Sequence, residues 1–264
     1  MKPLRFGAVV LLLLGSMAAS LPEDTGAAVA SAPPGSPVRP DRVVSLGDSV
    51  PTGAECDCSP FPVLVAADLA APGQRVGVDQ LAEDGATSED VAATVEDNLD
   101  DLSPTDVVLL EAGANDLADL ADDGQQLPTP AEVDSAAARA VATVSATVDR
   151  ILPTGARVVV LDYWAVGLDG EVAATRYTPA ERAVQDELTD SFDDQLRAAV
   201  DAKGGRVGFV GLRPVFHGST GGEDPTPLLA DDGDHPNAQG QRAIADAVLA
   251  ELASEHATRS PNIR

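Results

Sequence analysis

Positive charge is scarce in this sequence. Its 264 residues include 17 lysines and arginines against 43 aspartates and glutamates, which gives a formal net charge of −26 at pH 7. A surface this acidic repels a phosphate backbone, and nucleic acids are therefore excluded as partners. We interpret the acidic excess as a solvated shell that keeps the protein soluble, in preference to a binding site for a cationic substrate.

Cysteine is also scarce, because the chain has only two, in Cys56-Asp57-Cys58. Two thiolates without a nearby histidine fall short of the four ligands that a structural zinc ion requires, so we expect no metal here. In an exported protein the usual fate of two lone cysteines is a disulfide. We therefore predict a bridge between Cys56 and Cys58, with free thiols as the alternative.

The apolar run near the amino terminus, residues 6–14, is too short for a permanent transmembrane helix, which needs ~20 residues. Basic residues precede this run and small residues follow it, a pattern typical of a secretory signal peptide. We predict a signal peptide over residues 1–30, with cleavage after Ala18 or Ala30. The mature protein is then expected to be secreted to the extracellular space without stable membrane insertion.

The remaining chain is expected to form one domain. Residues 31–40 contain four prolines and no apolar periodicity, which indicates a linker. Residues 41–257 are long enough to bury one sizeable core and are assigned to a single globular domain. Residues 258–264 lose the helical pattern and are predicted to be a disordered tail. We expect the protein to be a monomer.

Strand and helix patterns alternate along this domain. The predicted strands are residues 42–46, 75–81, 106–111, 157–162 and 206–210. The predicted helices are residues 60–71, 87–99, 130–152, 179–203 and 238–253. Such alternation indicates an α/β fold in which helices cover both faces of a parallel sheet. Functional groups of such folds gather at the carboxyl ends of the strands.

Two segments carry side chains suited to nucleophilic catalysis. Gly47-Asp48-Ser49 follows the first strand, and a serine hydroxyl at that place can act as a nucleophile or cap a helix. Asp232-Gly233-Asp234-His235-Pro236 supplies a histidine and carboxylates, which a serine needs to become reactive near neutral pH. Pro51 interrupts a Gly-x-Ser-x-Gly pattern around the serine, which argues against an ordinary α/β-hydrolase.

These residues resemble those of the SGNH hydrolases, also called GDSL esterases and lipases. Four blocks occur in the family's order: Gly47-Asp48-Ser49, Gly85, Gly113-Ala114-Asn115-Asp116, and Asp232-x-x-His235-Pro236. The resemblance spans about residues 42–252 and implies a three-layer α/β/α, flavodoxin-like fold with a five-stranded parallel sheet. One departure is Val50, where the family has leucine.

The resemblance also implies roles for matching residues. Ser49 would be the nucleophile, His235 the general base, and Asp232 the carboxylate that orients the imidazole. The backbone N–H groups of Ser49 and Gly85 and the side-chain amide of Asn115 would form an oxyanion hole. This chemistry needs no cofactor and no metal.

Other residues have competing interpretations. Asp234 is the alternative to Asp232 as the triad carboxylate, whereas Asp231 is disfavoured. His217 is interpreted as a loop or substrate-lining residue, and His256 lies near the end of the chain. Asp48 is interpreted as a turn carboxylate.

Two further groups of acidic residues are not assigned a role in catalysis or metal binding. Asp116 is interpreted as structural support for the third block. The acidic residues around Asp232 lack the alternating ligands of a calcium loop.

The sequence thus predicts a secreted serine esterase or lipase that hydrolyses carboxylic esters of acyl or lipid type. Aromatic residues make up 3% of the chain. Those on or near predicted loops are Tyr163, Trp164, Tyr177 and Phe216, which is a thin supply for a sugar-binding cleft. An acetylesterase acting on extracellular polysaccharide is the enzymatic alternative. A non-catalytic binding module of the cell envelope is the alternative from another class.

Overall fold

The structure is a computed structural model that describes residues 40–122, 128–165 and 169–259. The predicted signal peptide and nearly all of the predicted linker lie outside the described residues. Within these three ranges, no helix is both long and apolar enough to cross a membrane.

Five parallel strands form a single sheet at the centre of the described fold. The strands are β1 (Arg42–Gly47), β2 (Gly77–Gln80), β3 (Asp106–Glu111), β4 (Arg157–Leu161) and β5 (Val207–Val210). Their order across the sheet is β2-β1-β3-β4-β5, and all four neighbouring pairs are parallel. This order is that of flavodoxin-like folds, so the predicted α/β architecture is confirmed.

The central strands are buried along their whole length. All six residues of β3 are buried, and so are five of the six residues of β1. A strand with both faces covered reads as a continuous apolar run instead of an alternating one. Val107-Val108-Leu109-Leu110 is such a run, and it contributes to the main hydrophobic core.

The helices lie between and after the strands. They are α1 (Ser49–Thr52), α2 (Phe61–Leu69), α3 (Ser88–Asn98), α4 (Ala114–Asp122), α5 (Pro130–Ile151), α6 (Gly170–Arg176), α7 (Pro179–Asp201), α8 (Arg213–His217) and α9 (Ala238–Arg259). Helix α5 packs against α3 and α7, whereas α2 packs against α9. Because both groups also contact the sheet, they form the two helical layers that cover its faces.

The start of α5 shows why the long helices begin where they do. The Thr129 hydroxyl accepts the N–H of Glu132, and the Glu132 carboxylate accepts the N–H of Thr129. The same capping box stands before α3 and α7. This motif satisfies N–H groups that a helix start otherwise leaves without partners, and the threonine and the acidic residue are both visible in the sequence.

The boundaries differ from the predicted ones where side-chain patterns are weak. Helices α1, α4, α6 and α8 were not predicted. Three of them have seven residues or fewer, which is too short for a helical period to show, and α4 begins inside the Gly113-Ala114-Asn115-Asp116 block. Strand β2 is shorter than predicted, since it lies at the sheet edge and is only partly buried. Helix α9 continues to Arg259, two residues into the predicted tail. The rest of that tail, residues 260–264, lies outside the described residues.

One buried side chain joins the helices that surround the candidate site. Gln241 on α9 is fully buried, its amide nitrogen donates to the carbonyl of Val50 at 3.0 Å, and its amide oxygen accepts the N–H of Phe61 at 2.7 Å. Val50 belongs to α1 and Phe61 begins α2. Gln241 therefore ties the segment after β1 to the helix that follows His235.

Candidate active site

Ser49 stands on a sharp turn at the carboxyl end of β1. It is the first residue of α1, and the preceding Asp48 caps this short helix by accepting the N–H of Val50 at 3.1 Å. A Cβ on Gly47 would lie 2.1 Å from the carbonyl oxygen of Glu111 on the neighbouring strand. Only glycine fits there, because the turn presses the backbone of β1 against β3.

The structure brings Ser49, His235 and Asp232 together. The Nε2 atom of His235 lies 2.8 Å from Oγ of Ser49, and its Nδ1 atom lies 2.6 Å from Oδ2 of Asp232. A carboxylate can only accept, so Nδ1–H donates to Asp232 and Nε2 is left to accept the serine O–H. Such a chain makes the serine oxygen a stronger nucleophile.

The carboxylate of Asp232 is held in its ionised form. Burial alone would raise its pKa, but hydrogen bonds from the His235 ring and from the backbone N–H groups of Asp234 and His235 outweigh burial. Both N–H groups reach Oδ1, at 3.0 and 3.1 Å. The pKa of Asp232 therefore lies below its usual value, and its negative charge is present near neutral pH.

The three residues predicted for an oxyanion hole, Ser49, Gly85 and Asn115, all line the same cavity. Asn115 is anchored there, since its side-chain nitrogen donates to the carbonyl of Ala86 at 2.9 Å. An amide nitrogen has two N–H groups, and this bond uses one of them. The predicted oxyanion hole would use the other, and this role stays a prediction.

Asp116 connects the segment that carries Gly85 to the first turn of α4, which carries Asn115. Its carboxylate accepts the N–H of Ser88 at 2.8 Å and the Ser88 hydroxyl at 2.6 Å. Ser88 begins α3 and Asp116 lies in the first turn of α4. The interpretation of Asp116 as structural support agrees with these bonds.

The cavity at the carboxyl edge of the sheet has a volume of about 530 Å³. Two helices form the apolar wall of the cavity. Helix α4 contributes Ala114, Leu117 and Ala118, and helix α7 contributes Leu188 and Phe192. The acidic residues of the cavity are Asp48, Glu55, Asp84 and Asp234, and no lysine or arginine is among the described residues that line it. The cavity is of the size that small-molecule sites have.

Asp48 is more than a turn residue. It is 1% exposed, and besides the N–H of Val50 it accepts the hydroxyl of Tyr163 at 2.5 Å. Burial raises the pKa of Asp48 to about 6, although the hydrogen bond from Tyr163 lowers it. Tyr163 follows β4 and is itself buried, so this bond joins the nucleophile turn to another strand of the sheet.

Further buried carboxyl groups interact with Asp48 or with one another. Glu111 ends β3, is fully buried, and has no hydrogen-bond partner for either carboxylate oxygen among the described residues. Burial raises its pKa well above the usual value, and the charges of Asp48 and Asp162 raise it further. Burial also raises the pKa of Asp162 to about 7 and that of Asp193 to about 9. Several of these groups are thus protonated near neutral pH.

The competing residues lie elsewhere or make other contacts. His217 has its Nε2 atom 2.9 Å from Asp169 and its Nδ1 atom 3.3 Å from the carbonyl of Glu223, and it does not line the cavity. Asp234 lines the cavity, but Asp232 is the carboxylate that contacts the His235 ring. The side chain of His256 lies outside the described residues.

Asp232, Asp234 and His235 offer three potential metal-ligand atoms within 4.8 Å of one another. Both nitrogens of the His235 ring, however, already lie within hydrogen-bond distance of Ser49 and Asp232. The histidine is therefore occupied by the chain of hydrogen bonds described above. The absence of a metal stays a prediction.

The cysteines lie in the segment that follows α1. The Cα atoms of Cys56 and Cys58 are 5.0 Å apart, and their sulfur atoms face each other at bonding distance. That Cα separation is within the range that disulfides require. Glu55 and Asp57 adopt positive φ angles of 57° and 44°, so the backbone bends sharply around the pair.

The aromatic residues that were assigned to loops divide into two groups. Tyr163 and Tyr177 line the cavity. Trp164 and Phe216 are buried and stack on each other with ring centroids 4.0 Å apart, so they belong to the core. Sequence reasoning missed Phe192 and Leu188 as cavity residues, although a large apolar pair four residues apart on the polar helix α7 was a usable signal.

A parallel α/β sheet that carries a hydrogen-bonded serine, histidine and carboxylate at its carboxyl edge has the arrangement of a serine hydrolase. The sequence identifies the family. The GDSL-like lipase/acylhydrolase family matches residues 45–243. The chain belongs to this family of esterases and lipases, and the predicted SGNH membership is confirmed. No curated protein matches the sequence significantly.

Solved structures of several hydrolases share the fold. A lipase from a goat rumen metagenome superposes with a TM-score of 0.64 at 15% identity, covering 80% of this chain and 96% of its own. A phospholipase A1 from Streptomyces albidoflavus NA297 gives 0.57 at 22% identity, with 82% and 99% covered. An acetyl xylan esterase from Geobacillus stearothermophilus gives 0.54 at 18% identity, with 80% and 94% covered.

Proposed function

We propose that the protein is a secreted serine esterase that cleaves acyl or lipid esters through an acyl-enzyme intermediate on Ser49. The observation that carries this proposal is the unbroken hydrogen-bond chain from Ser49 through His235 to Asp232, at 2.8 and 2.6 Å. A helix cap would need neither of these partners. Membership of the GDSL family supports the same reaction class.

In the first half of the reaction Oγ of Ser49 attacks the ester carbonyl carbon while Nε2 of His235 takes the hydroxyl proton. The carbonyl oxygen becomes an oxyanion that faces the N–H groups of Ser49 and Gly85 and the amide of Asn115. Collapse of this intermediate breaks the bond to the alcohol oxygen. His235 returns the proton to that oxygen, and Asp232 stabilises the charged imidazole in between.

In the second half water replaces the alcohol. His235 takes a proton from the water, the resulting oxygen nucleophile adds to the acyl carbon, and a second oxyanion forms in the same place. The bond from the acyl carbon to Oγ then breaks, and the proton passes from His235 back to Ser49. The products are the carboxylic acid and the free enzyme, so the cycle consumes one water and needs no cofactor.

The cavity favours an acyl or lipid ester as substrate. Its wall of leucine, alanine and phenylalanine side chains is suited to an apolar acyl group. The structural relatives include both a phospholipase A1 and an acetyl xylan esterase, and their likeness supports the fold alone. Acetate release from acetylated polysaccharide would instead support the acetylesterase alternative.

Hydrolysis of p-nitrophenyl esters from acetate to decanoate tests the proposal. We expect Ser49→Ala and His235→Ala to lower kcat on the order of 10⁶-fold, and Asp232→Ala on the order of 10⁴-fold. Ser254→Ala, an exposed serine on α9, is the matched control and should keep wild-type activity. Absence of hydrolysis by the folded wild-type protein would favour the binding module.

Removal of an oxyanion donor is a second test of the same reaction. We expect Asn115→Ala to lower kcat roughly 10²–10³-fold with little change in KM, because the amide is needed only where negative charge develops. Asn98→Ala, at the end of α3 outside the cavity, is the control. An Asn115→Ala enzyme with wild-type kcat would remove this residue from the proposed mechanism.

Secretion is part of the proposal and rests on the amino-terminal sequence pattern. Expression of the full chain in a secreting host should place the protein in the medium. Amino-terminal sequencing of that product then distinguishes cleavage after Ala18 from cleavage after Ala30. Retention of an uncleaved chain in the cells would contradict secretion.

We also propose that Cys56 and Cys58 form a disulfide in the secreted protein. The 5.0 Å separation of their Cα atoms supports this pairing. Intact-mass analysis after alkylation without a reductant should then show no added label, and alkylation after reduction should show two. Two labels without a reductant would exclude the bridge.

A further inference from the structure

The two helical layers contribute different parts of the cavity. His235 stands three residues before α9, which packs against α2 in one layer. The apolar wall comes from α4 and α7, which both pack against α5 in the other layer. Ser49 lies between them at the end of β1. The cavity therefore has a histidine side and an apolar side, with the nucleophile in the middle.

The reaction assigns one part of an ester to each side. The alcohol oxygen must lie near Nε2 of His235, because that atom returns the proton on which the alcohol leaves. The acyl carbon is bonded to Oγ of Ser49, and its oxygen points to the amide of Asn115, next to the start of α4. The rest of the acyl group then extends away from His235, towards α4 and α7.

The wall on that side has an apolar, firmly supported part beside the polar lining residues Gln185 and Thr189 of α7. Leu188 and Phe192 are one turn apart on α7 and are 3% and 0% exposed. The Phe192 ring packs on Gly113, where an added Cβ would lie 2.4 Å from it, and it contacts the ring of Tyr163 at 6.0 Å between centroids. Phe192 is thus held in place by its neighbours. Leu188 lies one helical turn before it on α7.

We propose that the acyl chain of the substrate lies along this wall and that Leu188 is a residue that determines acyl-chain length. The proposal rests on the proposed function, since it assumes attack by Ser49. It assigns to the enzyme esters with an acyl chain of several carbons in place of acetate. Each methylene group buried on the wall is worth ~0.8 kcal/mol, which is about a 4-fold gain in kcat/KM.

The test is the chain-length profile of kcat/KM for p-nitrophenyl esters from acetate to decanoate. In the wild type kcat/KM should rise about 4-fold per methylene until the wall is filled and then level off or fall. Leu188→Phe leaves less space for the acyl chain along the wall and should move the maximum of kcat/KM to a shorter acyl chain. Leu188→Ala leaves more space there and should move the maximum of kcat/KM to a longer acyl chain.

Leu196→Ala is the matched control. Leu196 is also a buried leucine on α7, at 1% exposure, but it does not line the cavity. The Leu196→Ala variant should lose stability as Leu188→Ala does, but its kcat/KM should be highest for the same chain length as in the wild type. If Leu188→Phe does not fold, the comparison of the two alanine variants alone decides the question.

The outcomes separate this inference from the proposed function. A wild type that is fastest on acetate, or Leu188 variants with an unchanged maximum, would overturn the inference while ester hydrolysis through Ser49 stands. Hydrolysis that survives in Ser49→Ala would instead overturn the proposed function. A maximum that moves in opposite directions in the two Leu188 variants, and stays in place in Leu196→Ala, supports the inference.

Discussion

The bond between Tyr163 and Asp48 shows how a single hydroxyl group can support a nucleophile. Asp48 is buried next to Ser49, and the Tyr163 hydroxyl and the Val50 N–H are its hydrogen-bond donors. A buried carboxylate is unfavourable unless such donors compensate for the lost hydration. The position of Ser49 therefore depends on a residue that follows a different strand.

We predict that Tyr163→Phe destabilises the protein by about 1–3 kcal/mol at pH 8, because the ionised Asp48 loses a donor. The loss should be smaller at pH 5, below the pKa of about 6, where the carboxyl group is protonated. Urea unfolding at both pH values measures this difference. Tyr177→Phe, which removes a hydroxyl from a half-buried tyrosine, is the control. Equal losses at the two pH values would show that the Tyr163 hydroxyl does not stabilise an ionised Asp48.

Glu111 makes the stability depend on pH in the opposite direction from an ordinary ion-paired carboxylate. Its pKa is raised in the folded protein, so the fold binds this proton more tightly than the unfolded chain does. The stabilisation is complete below the unfolded pKa of about 4.3 and is lost as the pH rises. Asp48, Asp162 and Asp193 have raised pKa values and act in the same sense.

We predict that Glu111→Gln stabilises the protein relative to the wild type at pH 8, and that this gain shrinks towards pH 5. Glutamine has the size of the carboxylic acid but cannot ionise. Thermal unfolding across this pH range is the measurement, with the exposed Glu89→Gln as control. A Tm difference between Glu111→Gln and the wild type that does not change with pH would show that Glu111 does not titrate as described.

At the scale of elements, the site depends on contacts between segments far apart in the sequence. Gln241 is the clearest case, because its two bonds reach α1 and the start of α2 from α9. These bonds fix the helix that follows His235 against the turn that carries Ser49. The distance between the two catalytic side chains is therefore set by a residue that takes no part in the chemistry.

We predict that Gln241→Leu, a change to a side chain of similar size, lowers stability by about 1–3 kcal/mol, because the buried N–H of Phe61 loses its acceptor. Activity per folded molecule should also fall, because Ser49 and His235 are no longer held together. Denaturant unfolding and kcat near neutral pH measure both effects. The neighbouring Gln239→Leu, at an exposed position on the same helix, should do neither.

The elements and motifs with a local pattern could be predicted from the sequence, whereas contacts between distant segments could not. The long strands and helices were predicted within a few residues, since β3 is a continuous apolar run and α5 has a readable capping box. The positions of Ser49 and His235 followed from local motifs. The Tyr163–Asp48 bond and the Leu188 wall could not be read in the same way. Both arise from the packing of segments far apart in the chain. The Tyr163–Asp48 bond leaves no local pattern, and the pair of Leu188 and Phe192 marks an apolar face of α7 without showing that this face lines the cavity.

At the scale of the whole molecule, charge dominates. The formal net charge of −26 makes the folded state repel itself, because folding brings the carboxylates closer together. Salt screens this repulsion, since the Debye length falls from about 8 Å at 0.15 M to about 3 Å at 1 M. The acidic shell thus makes the stability of the fold sensitive to ionic strength.

We predict that Tm at pH 7.5 rises by several degrees between low salt and 1 M sodium chloride, as repulsion is screened. The same series near pH 4.1, the isoelectric point of the sequence, is the control and should show a much smaller rise. A Tm that stays flat with salt at pH 7.5 would contradict the interpretation of the acidic surface.

Covalent trapping is the direct test of Ser49 as the nucleophile. A fluorophosphonate reacts with an activated serine and leaves an adduct that peptide mass mapping can locate. We expect one adduct per chain, on Ser49, with loss of ester hydrolysis in proportion to labelling and no adduct in His235→Ala. An adduct on a different residue, or hydrolysis that persists after Ser49 is fully labelled, would contradict the assignment of Ser49 as the nucleophile.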